Sequence, residues 1–231
     1  MRRIGIIGGM SWESTQLYYR LINERVRAVQ GGLSSAPLLV HSVDFAPVAA
    51  MQVAGDWDGL TAMMVGAARD LKAAGAGALA IATNTMHKMA DEVVAATGLP
   101  LIHIADVTAA AVRAAGLSRV ALLATRFTME QDFYRTRLSA GGLDILTPDE
   151  ADRAEVHRVI YEELCRGEAK DASRDSYRRI IAGLRAAGAQ GVILGCTEIT
   201  MLIGPQDTDL PLFDTTAIHA AAIADWIFST E

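Results

Sequence analysis

The chain has 231 residues, 51% of them hydrophobic, and a formal net charge of −6 at neutral pH. That length holds one large domain or two small lobes, and folding buries roughly 70–75% of the surface the unfolded chain exposes, so no metal or disulfide staple is needed. The acidic balance argues against nucleic acid or an anionic membrane as partner. Two cysteines make neither a disulfide framework nor a zinc pattern, and no stretch approaches the roughly 20 apolar residues of a membrane span or the pattern of a signal segment. A cytoplasmic enzyme is the default expectation, and a mean hydropathy of +0.23 suits strands covered on both faces by helices.

In chain order, a first strand over 3–7 runs into Gly8 and Gly9, and a helix over 15–29 carries Leu17, Leu21, Ile22 and Val26 at helical spacing. The glycine turn is not a G-x-G-x-x-G dinucleotide fingerprint; it reads as an opening for a ligand to reach backbone N–H groups. A loop over 31–35 leads to a strand over 38–42, and 44–58, which carries Gln52, reads as a mixed segment, either a loop over the site or a solvated connection. A helix over 60–73 stops at Gly75-Ala76-Gly77. A strand over 79–82 then delivers Thr83-Asn84-Thr85 to the start of a helix. Two readings of that triplet stand: helix capping alone, or a ligand site.

The remaining elements are a short strand over 100–102, a helix over 106–115, a strand over 119–123 and a loop over 124–128. A strand over 143–146 and helices over 150–165 and 173–187 follow. Val192-Ile193-Leu194-Gly195 reads as a buried parallel strand that hands Cys196, Thr197 and Glu198 to the carboxyl edge of a sheet, where open α/β folds bind ligands. Cys165 reads as a packing or site-edge residue. His87, His103, His157 and His219 stand singly and offer no metal spacing.

The chain repeats itself. Aligning Ile81 with Leu194 sets Thr83 opposite Cys196 and Thr85 opposite Glu198, and Gly98-Leu99-Pro100-Leu101 then matches Asp209-Leu210-Pro211-Leu212. Upstream, residues 3–8 match 119–124 at an offset of 116, and Tyr18-Tyr19-Arg20 matches Phe133-Tyr134-Arg135 at 115. Several features at nearly constant offset indicate a duplicated α/β unit.

Four separated motifs occur in order: Gly8-Gly9-Met10-Ser11-Trp12-Glu13-Ser14-Thr15, Thr83-Asn84-Thr85-Met86-His87, Met129-Glu130-Gln131-Asp132-Phe133-Tyr134-Arg135, and Gly195-Cys196-Thr197-Glu198. They resemble the aspartate/glutamate racemase family over essentially the whole chain, and most of all its bacterial L-aspartate/glutamate-specific branch. The resemblance implies two pseudo-symmetric α/β lobes, each a mostly parallel sheet flanked by helices, with the site in the inter-lobe cleft. It sets the lobes at 1–98 plus 208–231 and at 99–207. It further implies an isomerase that uses no pyridoxal phosphate or other cofactor, no metal, an acidic amino acid as ligand, and a homodimer. Met10, Gln52 and Thr125 are substrate-binding candidates by resemblance. The family pattern has cysteine at both motif positions; here the first is Thr83, a departure shared by the branch named. Archaeal-type aspartate racemases have lysine where Cys165 falls.

The chemistry agrees with these residues. A racemase takes the α-proton from one face of a planar carbanion and returns one to the other, which a duplicated unit serves with equivalent strand ends. Cys196 is the expected base, because a thiol pKa of about 8.5 falls to roughly 3.5–7.5 beside a helix N-terminus or a cation. Thr83 can donate a proton but forms an alkoxide poorly. Backbone N–H groups of Asn84, Thr85, Thr197 and Glu198 can hold a substrate carboxylate, and Arg126 is a further carboxylate candidate by its loop position. Two other readings stay open: a single-cysteine carbanion enzyme such as an arylmalonate decarboxylase, and a non-catalytic binder of acidic amino acids.

Overall fold

A computed structural model describes residues 1–230. The chain divides into two compact units, 1–103 with 219–231 and 104–218.

Unit 1 is built on β1 (Ile4–Gly8), α1 (Trp12–Gln30), β2 (Leu38–Ser42), α2 (Phe45–Ala54), α3 (Trp57–Ala73), β3 (Ala78–Ile81) and α4 (Ala90–Thr97). Its strands run parallel in the order β2-β1-β3. β1 and β3 are buried throughout, and their side chains alternate between two cores, as the two-residue period of a strand requires. Ile4, Ile6, Ala78 and Ala80 meet Tyr18, Ile22 and Val26 of α1. Ile7, Leu79 and Ile81 meet Leu60, Met64 and Leu71 of α3.

Unit 2 contains α5 (Ile104–Ala114), β4 (Arg119–Ala124), α6 (Arg126–Glu130), α7 (Asp132–Ala140), β5 (Asp144–Leu146), α8 (Glu150–Glu162), α9 (Asp171–Ala186), β6 (Val192–Gly195) and β7 (Leu212–Asp214). Its parallel sheet has the order β5-β4-β6-β7. The last helix, α10 (Thr215–Phe228), begins in unit 2 and from His219 onward belongs to unit 1, where Ala220, Ile223, Ala224 and Ile227 pack with Ile4 and Ile6.

The sequence repeat is a repeat of strand register. Gly5 pairs with Leu79 and Ala121 with Val192; Ile4 pairs with Leu38 and Val120 with Ile145. The match of Leu101 with Leu212 also holds, since Leu101 bridges Leu79 while Leu212 pairs with Val192.

Four local expectations need correction. The stretch 44–58 is neither a loop nor a plain connection but holds α2 and the start of α3. Asp44 caps α2 by accepting from the Ala46 N–H at 3.1 Å, Gly55 ends it in the left-handed region at φ 73°, and Asp56 caps α3 through the Gly59 N–H at 2.9 Å. Pro47 stands in the first turn of α2, where its missing donor costs nothing. The expected loop at 124–128 contains α6, capped by Thr125. Residues 100–102 supply one bridge and no strand. After Thr83 the chain makes a 3₁₀ turn, Thr85–Met89, before α4 begins at Ala90.

Past Cys196 the chain makes a second 3₁₀ turn, Thr197–Met201, and the connection to β7 is clamped by Asp207. Its side chain is sealed from solvent, accepts from the Gly204 N–H at 2.8 Å, and pairs with Arg178 at 2.6 Å and Arg174 at 3.3 Å. Burial alone pushes this carboxyl up, but the Gly204 N–H and the two guanidiniums outweigh it and hold the pKa below the ordinary aspartate value. A depressed carboxylate stabilises the fold above its unfolded pKa of about 3.9, and that contribution is lost as pH falls through the lower folded value. Asp207→Asn should therefore cost about 1–3 kcal/mol at neutral pH. In urea titrations of both proteins, its deficit should shrink below about pH 4.

Candidate active site

In each sheet the chain leaves the central strand in one direction and returns on its other side. In unit 1 β2 lies on one flank of β1 and β3 on the other; in unit 2 β5 and β6 flank β4 in the same way. The carboxyl ends of β1/β3 and of β4/β6 are thus topological switch points, where open α/β sheets hold ligands. The sequence candidates fall at these two edges, with Gln52 supplied by α2.

At the unit 1 edge, Gly9 turns the chain out of β1 at φ 89°, where a Cβ would run into the Val43 carbonyl. The Gly9 N–H donates to Thr15 Oγ1 at 2.8 Å, and Ser14 Oγ donates to the Ala82 carbonyl at 3.2 Å, so α1 is tied to both strand ends. Met10 is buried in the same core as Ile81 and Met86. Gln52 is also buried and directs Nε2 to Met86 Sδ at 3.4 Å. Thr83 is half-buried, whereas Asn84 and Thr85 are buried. Asn84 has helical φ and ψ and makes no capping bond, so capping is not what its side chain does.

Two histidines 16 residues apart, His87 and His103, meet a third, His219, from near the end of the chain in unit 1. The His87 ring lies 4.5 Å from that of His103 and 5.7 Å from that of His219. His87 Nδ1 is 2.7 Å from the Thr83 carbonyl, which can only accept, so Nδ1 carries a proton. His219 Nε2 donates to the Ile102 carbonyl at 2.7 Å while its Nδ1 accepts from Tyr18 Oη at 2.8 Å. Burial pushes His219 down to about 4, which keeps it neutral. Among the described residues, no three His, Cys, Asp or Glu side chains form a group able to hold a metal.

At the unit 2 edge, Ala124 and Gly195 are register partners, so Thr125 and Cys196 leave the sheet from adjacent strands. Thr125 caps α6, with Oγ1 3.2 Å from Thr128 Oγ1. Thr197 Oγ1 lies 3.1 Å from Thr216 Oγ1, and Thr215 Oγ1 donates to the Leu194 carbonyl at 2.9 Å. Arg126 is exposed, and its backbone N–H donates to His157 Nδ1 at 3.3 Å. Cys196 is half-buried in extended backbone, and its Sγ donates to Glu198 Oε2 at 3.0 Å.

The thiol does not have the electrostatics expected from the sequence. Burial, then the Glu198 carboxylate and Cys165, push its pKa well above the ordinary thiol value, while the Glu198 backbone N–H opposes them. The physical reasons are burial of Sγ first and, second, the turn after Cys196, which brings the Glu198 carboxylate back onto it. Tyr161, on α8, is pushed up by burial and by the charges of Cys196, Cys165 and Glu198. Cys165 and Tyr161 thus belong to the surroundings of the thiol. Tyr161 stands on α8 and Cys165 in the 3₁₀ turn just past it; the sequence offered Cys165 only as a packing or site-edge residue.

The sequence profile described as Asp/Glu/Hydantoin racemase matches residues 7–223. A Yersinia pestis structure assigned as an Asp/Glu racemase is 53% identical, covers 99% of this chain and 100% of its own, and superposes with a TM-score of 0.93. An aspartate racemase homologue from Pyrococcus horikoshii OT3 is 32% identical with a TM-score of 0.84, covering 99% and 100%. The aspartate racemase of Picrophilus torridus, 19% identical with a TM-score of 0.76 over 98% of this chain and 94% of that one, shares the fold.

Proposed function

Because the chain belongs to the Asp/Glu/hydantoin racemase family, and is therefore an isomerase acting on a small amino acid, we propose that it racemises aspartate or glutamate by two-base transfer of the α-proton, without pyridoxal phosphate. The observation that supports this most is the repeated register, which sets Thr83 and Cys196 just beyond β3 and β6, each at the switch-point edge of its own sheet. In this reading Cys196 takes the α-proton from one face of the substrate and Thr83 serves the other. Backbone N–H groups of Asn84, Thr85, Thr197 and Glu198 hold carboxylate, and Met10, Gln52 and Thr125 shape the pocket. A homodimer, which the family resemblance implies, and a cytoplasmic location, the default expectation from the sequence, complete this reading. No described helix is long and apolar enough to cross a membrane.

The test is proton NMR in D₂O. L-aspartate or L-glutamate should lose its α-proton signal while the D-enantiomer appears in a chiral assay. A binder would exchange nothing. Loss of CO₂ from a disubstituted malonate, with no amino-acid exchange, would assign the decarboxylase chemistry instead.

A further inference from the structure

The 3.0 Å contact between Cys196 Sγ and Glu198 Oε2 joins the proposed base to a carboxylate that is itself buried. A racemase base must lie against the substrate's Cα–H. The other groups on that carbon are an ammonium, a carboxylate and, for an acidic amino acid, a side chain that ends in a second carboxylate. Only the ammonium can approach a carboxylate beside the thiol without like-charge repulsion. We propose that Glu198 recognises the α-amine, exchanging its hydrogen bond from Cys196 for one from the substrate's ammonium group. This rests on the racemase reading and names the group of the substrate that Glu198 holds.

The exchange does two things. It gives the ammonium a charge-assisted hydrogen bond, which is stronger than a neutral one. It also offsets a negative charge bearing directly on the thiol, so that the Cys196 proton leaves to solvent water and the thiolate forms where an α-proton is waiting. The titratable groups bearing on Cys196 are Glu198 on its own turn, Cys165 on the 3₁₀ turn Leu164–Arg166, Tyr161 on α8 and Tyr177 on α9. Glu198 is the only carboxylate among them. Without substrate the thiol is held mostly protonated and reacts slowly; an amino acid, unlike a plain dicarboxylate, brings the charge that offsets Glu198, while its body covers the thiol.

The experiment measures alkylation of Cys196 by iodoacetamide, quantified by peptide mass spectrometry, in wild type, Glu198→Gln and Glu198→Asp. Without substrate, Glu198→Gln should react about tenfold or more faster at pH 7, because removing the charge lowers the thiol pKa. Glu198→Asp, which keeps the charge, should stay close to wild type. Protection by ligand gives the second readout. Aspartate should protect wild type at lower concentration than succinate, which lacks the amine, and Glu198→Gln should shrink that advantage about tenfold.

Unchanged or slower alkylation in Glu198→Gln, equal acceleration in both variants, or an unaltered aspartate-to-succinate ratio would each overturn the proposal. These outcomes are separable from failure of the racemase reading, which is absence of α-deuterium exchange in the wild-type enzyme.

Discussion

Cys196→Ser is expected to lower α-proton exchange by about 10²–10⁴-fold, the range contributed by a positioned acid–base group. The substitution is nearly isosteric and the side chain is half-buried, so the fold should survive and the loss should fall on chemistry. A serine hydroxyl is far less acidic than a thiol. In this position it would also face burial and the Glu198 carboxylate, which already push the thiol up. Cys165→Ser is the control: Cys165 lies in the 3₁₀ turn after α8 and bears on Cys196 through charge, and the variant should keep most of the activity. Exchange followed by NMR in D₂O decides between them. Retention in Cys196→Ser would remove Cys196 as the base, and collapse in Cys165→Ser would move the base to the neighbouring thiol.

Thr83→Cys is expected to raise α-deuterium exchange from the D-enantiomer by about tenfold or more, through the better acid–base group it supplies. On the proposed roles, one thiol and one hydroxyl are not equivalent bases for the two directions. By its likeness to the L-specific branch, Cys196 would serve the L-enantiomer and Thr83 would return a proton on the D face. Free L and D forms have equal energy, so kcat/KM must match in both directions. The asymmetry then appears in kcat and KM separately, and in exchange measured from each enantiomer alone. Thr83 is half-buried, and its carbonyl is held by His87 Nδ1 at 2.7 Å, so a cysteine should be presented from the same backbone position. Equally fast wild-type exchange from both enantiomers, with no gain in Thr83→Cys, would exclude Thr83 as the second acid–base group.

Much of the scaffold could be read directly. The largely apolar runs at 3–7, 119–123 and 192–195 became buried parallel strands because an apolar run of that length has no other stable use in an α/β sheet. The constant offsets translated into matched strand registers because a one-residue slip would turn every side chain to the wrong core. α2 was invisible for the opposite reason. Its ten residues, Phe45–Ala54, are almost all apolar, so no polar face marks a helical period, and only the caps at Asp44 and Gly55 reveal its limits.

The sequence by itself determined the duplicated parallel α/β plan, the glycine turn after the first strand, and the delivery of Thr83 and Cys196 beyond the ends of two strands. These follow from local period and from residues that only certain backbone conformations accept, and both are written into neighbouring positions. The tertiary structure alone decided the charge environment. It brought His219, near the end of the chain, beside His87 and His103, and it buried His219 so that it stays neutral. It also turned Glu198 back onto Cys196, so that the thiol is held protonated where the sequence had suggested activation. A pKa depends on which groups share a buried volume, and residues near in space need not be near in sequence.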